Sequence, residues 1–306
     1  MAQQPTRINK PPTQGEFVGK DRKLSKPAEA WFNALLSDSF TLRHISGMVP
    51  GNNGANSIDF TAGEAKSNDD SANIPIPAQV GNNASAAWAR GPNAGKRATG
   101  AAAWGAGSWH WFVLGGKGFP RQSDARTADY VIDDNAGGSN IFATAAINQA
   151  GYTKACRVWS APTAGAVWRA FVAHETSGGG IYTRWDVQSA DFTDVNPGAA
   201  AVVNILKSIP AGIRVMADLN WQMIDSTPAS STLFLSTETD QTNTAPGGND
   251  YDMTIQNAGA TVPLSSFIVK RMRPDTVGQI RYRLSGSTAD LTIKCRVIGY
   301  EDYRRS

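Results

Sequence analysis

Three histidines are the residues of this chain best suited to acid–base or metal chemistry, and they stand apart. His44, His110 and His174 are isolated from one another and fit no metal-ligand spacing. His110 lies between Trp109 and Trp111 in a predicted strand, so its side chain faces opposite to both rings. We therefore expect a structural histidine with a satisfied ring, not a metal ligand or a general base.

Paired carboxylates would be the second source of chemistry. They occur as Asp69-Asp70, as Asp133-Asp134 and as Glu238 with Asp240, each in a polar, turn-rich segment. A glycosidase places two carboxylates about 5–9 Å apart across a sugar ring, and the sequence leaves such a pair open. The preferred interpretation is that these side chains lie in solvated loops.

Other reactive motifs are incomplete. Gly91–Arg97 resembles a phosphate-binding loop, but its glycines are one residue too close and Arg97 replaces the Ser or Thr that binds magnesium. We predict a loop after a strand. Cys156 and Cys295 are far apart and lack metal or disulfide spacing, so we expect two buried free thiols. No catalytic residue, metal or cofactor is predicted.

Tryptophan is unusually frequent, with nine residues. Eight fall in the predicted β region: Trp88, Trp104, Trp109, Trp111, Trp159, Trp168, Trp185 and Trp221. Exposed rings stack on sugars, whereas buried rings fill cores and seams between subunits, where each brings a large apolar area. We favour the core interpretation and keep sugar binding as the alternative.

The elements that position these residues are mostly strands. Apolar and polar residues alternate cleanly over Ile213–Met223, Gln279–Leu284 and Leu291–Val297, which is typical of strands with one dry face. Eight further strands are predicted at 85–89, 109–114, 153–159, 166–173, 181–186, 202–209, 232–235 and 265–272. Gly- and Pro-rich turns separate many of them. This pattern predicts a mainly β fold of antiparallel β-sandwich or jelly-roll domains.

The N-terminal region differs from the rest. Residues 1–26 are polar and basic and predict an extended arm. After Pro27, apolar residues recur at helical spacing and predict one short amphipathic helix. The helix is too short to be stable alone, so its apolar stripe must pack on the rest of the chain, on a symmetry mate or on a neighbouring protein. The candidate docking residues are Trp31, Phe32, Leu35 and Leu36.

These patterns divide the 306 residues into three parts. We predict an arm and anchoring helix at 1–44, a first β domain at 45–195 and a C-terminal jelly-roll-like sandwich at 196–306. Asn-Pro-Gly near residue 197 motivates the second boundary, although the sheets on either side could share strands.

Charge and hydropathy exclude several partners. The formal net charge is only +3 and no sustained Lys/Arg stripe is present, so we expect no nucleic-acid partner. No apolar run approaches the ~18 residues that span a bilayer, and no membrane insertion is expected. The first residues lack the apolar stretch of a secretory signal, which predicts synthesis in a cytoplasm.

A series of short motifs between residues 59 and 300 resembles tailed-bacteriophage virion proteins, tail fibres or minor structural proteins. They are Gly63-Glu64-Ala65, Ala86–Gly91, Gly107–Val113, Gly151–Lys154 leading to Arg157-Val158, Val167–Phe171, Ile209–Ile213 and the ending Gly299–Arg304. The chain departs from this pattern where Cys156-Arg157 replaces an Arg-Arg pair. The resemblance implies a trimeric or otherwise homo-oligomeric β protein of the virion, made in the host cytoplasm. Its N-terminus would attach to other tail or head–tail connector components.

Three hypotheses follow. The first is a non-enzymatic virion protein, a tail fibre or short tail appendage, anchored by its N-terminus and in contact with the host surface. The second is a host-recognition protein that binds or degrades a cell-surface polysaccharide. The third is a head decoration or collar protein, which differs in location and not in chemistry.

Overall fold

The computed structural model describes residues 45–68, 73–116, 128–225, 232–241, 245–247, 249–255, 264–286 and 290–304. The predicted arm and helix, with Trp31, Phe32, Leu35 and Leu36, lie outside these residues. Strands make up 56% of the described chain and helix 2%, so the mainly β prediction is confirmed.

The described strands are short and follow one another closely along the chain. In chain order they are β1 (Ile45–Gly47), β2 (Pro50–Asn52), β3 (Ser57–Phe60), β4 (Gly63–Lys66), β5 (Asn73–Ile76), β6 (Gln79–Ala87), β7 (Gly95–Arg97), β8 (Gly107–Gly116), β9 (Asp129–Asp133), β10 (Tyr152–Thr163), β11 (Phe171–Glu175), β12 (Ile181–Trp185), β13 (Ala190–Val195), β14 (Val202–Ile205), β15 (Val215–Asp225), β16 (Thr232–Glu238), β17 (Met253–Ile255), β18 (Leu264–Met272), β19 (Gln279–Leu284) and β20 (Leu291–Asp302). One short helix, α1 (Ala145–Gln149), precedes β10.

The N-terminal strands form two sheets. A seven-stranded sheet has the order β10-β8-β9-β7-β6-β3-β2, and a three-stranded antiparallel sheet has the order β1-β4-β5. The larger sheet departs from the antiparallel prediction at two pairs, β6 with β7 and β7 with β9, which are parallel. Ile74 of β5 packs over Gly115 of β8, where a Cβ would lie 3.0 Å from Cγ1 of Ile74. The glycine therefore lets the two sheets approach closely.

The C-terminal strands form a jelly roll. Strands β13, β20, β15 and β18 lie in one sheet and β14, β19, β16 and β17 in the other, each in that order. Eight strands that pass between two antiparallel sheets in this way define the eight-stranded jelly roll. The predicted sandwich of jelly-roll type is thus present in the described chain.

Aromatic residues fill the space between the two jelly-roll sheets. The ring of Trp221 is fully buried and lies 5.1 Å from Phe234, 5.6 Å from Phe192 and 5.9 Å from Tyr282, centroid to centroid. These four residues come from β15, β16, β13 and β19, so the cluster joins both sheets. Aromatic contacts of this kind add to the free energy gained by burial of the rings.

The boundary predicted at 195/196 does not separate two sheets. Strand β13, which ends at Val195, is the first strand of the jelly roll, and β20 also pairs with β12. The sheet that contains β20 therefore runs β11-β12-β20-β15-β18 and draws strands from both sides of that boundary. The described residues from Ile45 onward belong to one compact unit.

Candidate functional site

His110 lies in β8, where both faces of the strand are covered. The side chain is 1% exposed, and Nδ1 lies 2.8 Å from Oγ of Ser160, its direct neighbour across the ladder with β10. This is the environment expected for a structural histidine. No local sequence pattern identifies Ser160 as the partner, because the two residues are 50 positions apart.

Ser160 belongs to a buried polar network that connects β10 to β20. Nη1 of Arg157 donates to Oγ of Ser160 at 3.0 Å and to both carboxylate oxygens of Asp302 at 2.9 and 2.7 Å. The hydroxyl of Tyr300 donates to the carbonyl oxygen of Ser160 at 2.7 Å. Because a buried charge needs a partner and hydrogen bonds, this set fixes the two strands against each other.

The same network continues to the first strand. Asp302 accepts from the backbone N–H of Arg304 at 2.9 Å, and Nη2 of Arg304 donates to the carbonyl of Gly47 at 2.9 Å. Glu175 accepts from the N–H of Gly47 at 3.1 Å and lies 3.9 Å from the Arg304 guanidinium. The ending of the chain therefore ties β1 and β11 to β20.

Burial and the charge of Arg157 lower the pKa of His110 to about 4, so the ring is neutral at pH 7. Since Arg157 donates to the Ser160 oxygen, the Ser160 hydroxyl has its hydrogen free to donate, and among the described residues its acceptor is Nδ1. We assign the tautomer with hydrogen on Nε2 accordingly. That nitrogen has no hydrogen-bond partner among the described residues.

Nε2 of His110 faces a cleft of about 720 Å³, within the size range of small-molecule sites. A Cβ on Gly212 would lie 3.5 Å from Nε2, which places this glycine directly across from the ring. The cleft is lined by Ala102, Ala103, Ala106, Gly107, Ser108, Trp109, His110, Asp134, Asn135, Ala136, Gly137, Ala211 and Gly212. Because three distant segments form it, no local sequence pattern predicts this cleft.

The Asp133-Asp134 pair splits into two environments. Asp133 is fully buried at the end of β9 and accepts from the backbone N–H of Asn135 and from both the N–H and the side-chain amide of Asn140. Burial raises its pKa above the usual value. Asp134 is exposed and lines the cleft. The solvated-loop prediction is therefore wrong for Asp133, which organises the loop after β9.

Of the other two predicted carboxylate pairs, Glu238 with Asp240 lies within the described residues. Asp69-Asp70 lies outside the described residues. Glu238 accepts from the backbone N–H of Arg273 at 2.9 Å, and Asp240 is exposed in the turn that follows β16. Asp240 agrees with the solvated-loop prediction, whereas Glu238 is half-buried and is the last residue of β16.

The tryptophans occupy the core. Seven are at most 7% exposed: Trp88, Trp109, Trp111, Trp159, Trp168, Trp185 and Trp221. Trp104 is half-buried, and its indole N–H donates to the carbonyl of Ala166 at 2.8 Å. The core interpretation is confirmed for these residues, and none of the seven offers an open ring face to a sugar.

The segment that resembles a phosphate-binding loop holds its lysine inside the protein. Nζ of Lys96 lies 2.5 Å from Oδ1 of Asp129 and donates to the carbonyl of Gly91 at 2.6 Å. Burial lowers the pKa of Lys96 while Asp129 opposes this effect. The ammonium group of Lys96 thus forms a buried ion pair with Asp129. The loop prediction is wrong for its last three residues, which form β7.

Cys156 and Cys295 are both buried, as predicted, and neither forms a disulfide. Burial raises the pKa of the Cys295 thiol. In the described ranges, no three His, Cys, Asp or Glu side chains are grouped as a metal site. The described part of the chain also holds no helix with the length and apolarity to cross a membrane.

The described chain is a β-sandwich protein with a C-terminal jelly roll and a buried polar network where its sheets meet. Comparisons with protein-family models, with curated proteins and with solved structures found no match.

Proposed function

We propose that this chain is a non-enzymatic structural protein of a bacteriophage virion, a tail fibre or short tail appendage attached through its N-terminal residues. The observation that carries the proposal is the placement of the residues on which the resemblance rests. Tyr300, Asp302 and Arg304 lie in the buried network, and Trp109, Trp111 and Trp168 lie in the core. Such residues maintain an architecture, and jelly rolls are frequent in viral structural proteins.

The His110–Ser160 pair has the residue types of a nucleophilic enzyme, but its hydroxyl is not accessible to a substrate. Ser160 is fully buried and its oxygen already receives a hydrogen bond from Arg157. A general base works best with a pKa near the operating pH, whereas that of His110 is lowered to about 4. These features support a structural role for the pair.

The proposed attachment is tested with particles from the virus that encodes the chain. Mass spectrometry of purified particles should detect the full chain in stoichiometric amounts.

Deletion of Met1 to Ser37 should leave a folded β protein that is absent from particles. Trp31→Ala in the full chain should reduce incorporation, while Asp186→Ala, an exposed carboxylate at a distant turn, should not. Normal incorporation of the truncated chain would remove the proposed anchor.

We also propose a homotrimer. Phe267 and Val269 project from the outer face of β18 and are 74% and 58% exposed, an apolar pair that supports contact with another subunit. Sedimentation equilibrium of the full chain should give the trimer mass. A monomer at micromolar concentration would contradict this part of the proposal.

The second candidate is a head decoration or collar protein, which has the same structural role at another place on the particle. Electron microscopy of particles labelled on this chain separates the two, because a fibre or appendage places the label on the tail and a decoration protein places it on the head.

A further inference from the structure

We propose that the cleft beside His110 is a binding site for a neutral saccharide. The inference goes beyond the structural role and rests on the proposed function only for its setting, contact with a cell surface. Particle incorporation and saccharide binding are separate measurements, so one can fail without the other.

The floor of the cleft provides a hydrogen-bond donor. His110 is 1% exposed, its Nδ1 is bound to Ser160, and its opposite edge faces Gly212 at the cleft. The Nε2–H group has no partner among the described residues. Because this N–H is open to the cleft, an acceptor atom of a ligand can replace water as its hydrogen-bond partner.

The rim of the cleft provides an acceptor and a negative charge. Asp134 is exposed and lines the cleft, next to Asn135, whose Oδ1 accepts from the N–H of Gly137 at 2.8 Å. That bond leaves the amide NH2 of Asn135 to donate. The carboxylate of Asp134 disfavours an anionic ligand, and the N–H of His110 disfavours a cation.

A hydroxyl group satisfies both requirements, because it accepts from an N–H and donates to a carboxylate. Neutral saccharides carry several hydroxyl groups and no charge, so they are the ligand class that we assign to this cleft. The walls consist largely of Ala and Gly, so they leave room for a sugar ring against short apolar side chains. Gly212 has φ of +89° and an added Cβ would stand in front of His110, so the open wall depends on this residue.

The experiment uses the full chain on a printed array of neutral and acidic bacterial oligosaccharides, followed by saturation-transfer NMR with the saccharides retained. Two cleft variants are compared with the wild type: Asp134→Ala removes the rim acceptor, and Ala136→Leu adds bulk to a cleft wall beside Gly212. Asp186→Ala is the matched control, because it removes an exposed carboxylate away from the cleft. Thermal unfolding of each variant verifies that it is folded.

The wild type and Asp186→Ala should bind neutral saccharides, with binding weakened about tenfold or more in Asp134→Ala, since a hydrogen bond to a charged group is lost. Ala136→Leu should abolish binding. If one cleft variant fails to fold, saccharide binding by the other cleft variant tests the proposal. The proposal is overturned if no neutral saccharide binds, if only acidic saccharides bind, or if the folded cleft variants bind like the control.

Discussion

Asp302 accepts three hydrogen bonds in a position that water does not reach. Two come from Nη1 of Arg157 and one from the backbone of Arg304. An ion pair in such a place adds little net stability compared with an apolar pair, but removal of one partner leaves the other charge buried and unbalanced. The stability of the protein is therefore sensitive to single changes in this network.

Asp302→Asn should lower the free energy of unfolding by about 3–5 kcal/mol, because the charge of Arg157 then lacks its counter-charge. Urea unfolding monitored by tryptophan fluorescence measures this loss. Asp186→Asn is the control and should stay within about 0.5 kcal/mol of the wild type. A loss below about 1 kcal/mol for Asp302→Asn would show that the network is not a major stabilising element.

His110 makes stability depend on pH in a defined window. Its pKa is about 4 in the folded protein and 6.5 in its ordinary state, so the unfolded chain binds the proton first as the pH falls. The stabilisation is complete above pH 6.5 and is lost as the pH falls towards 4, by about 3 kcal/mol in all. Urea unfolding at pH 7 and pH 4 should show a larger loss for the wild type than for His110→Gln. Equal losses would contradict this pKa.

At the scale of single residues, the sequence predicts the surroundings of a side chain better than its hydrogen-bond or ion-pair partner. The isolation of His110 predicted a structural histidine and the abundance of tryptophan predicted core rings; His110 and seven of the tryptophans are buried. The pairing of Arg157 with Asp302 spans 145 positions and depends on the approach of two sheets, so no local pattern contains it. Asp133 looked solvated for the same reason, since its hydrogen-bond partners are defined only by the folded loop.

At the scale of elements, β20 is the strand on which the sheets converge. It pairs with β12, β13 and β15, and at Gly299 the neighbouring strand comes close enough that a Cβ would lie 2.5 Å from the carbonyl oxygen of Thr183. Only a glycine permits this approach. The pairing of β12 with β20 thus depends on one residue of the motif that ends the chain.

Gly299→Ala should destabilise the protein by about 1–3 kcal/mol, because the methyl group forces β12 away from β20. Gly178→Ala, in the turn between β11 and β12, is the matched control, since its Cβ would meet nothing within 4 Å. Thermal unfolding compares the two, and amide hydrogen exchange should be faster in β12 of Gly299→Ala alone. Equal behaviour of the two variants would contradict the close approach.

How well a strand is predicted depends on whether one or both of its faces are buried. Gln279–Leu284 was predicted with its observed bounds, because one face is dry and the other wet. The last strand was predicted to end at Val297 but runs to Asp302, where both faces are covered and alternation disappears. Strand β9 was missed because all five residues are buried, including its terminal aspartates. Such strands lack a periodic signal.

At the scale of the whole molecule, the shared sheet couples the two predicted β domains. Because β20 pairs with β12 from the first predicted domain and with β15 from the second, neither can lose its structure without exposing the other. Calorimetry of the full chain should therefore show one cooperative transition for the β region. Two separate transitions, assigned to residues before and after 195 by limited proteolysis, would contradict this coupling.

The central proposal is that the chemistry-bearing residues of the described chain hold its architecture together and do not act on a substrate. The most direct test replaces the buried pair by apolar residues of similar size, Arg157→Met with Asp302→Leu, and measures unfolding and incorporation into particles together. We predict that the double variant regains most of the stability lost in Asp302→Asn and is incorporated like the wild type. A double variant that is stably folded and yet excluded from particles would contradict the claim.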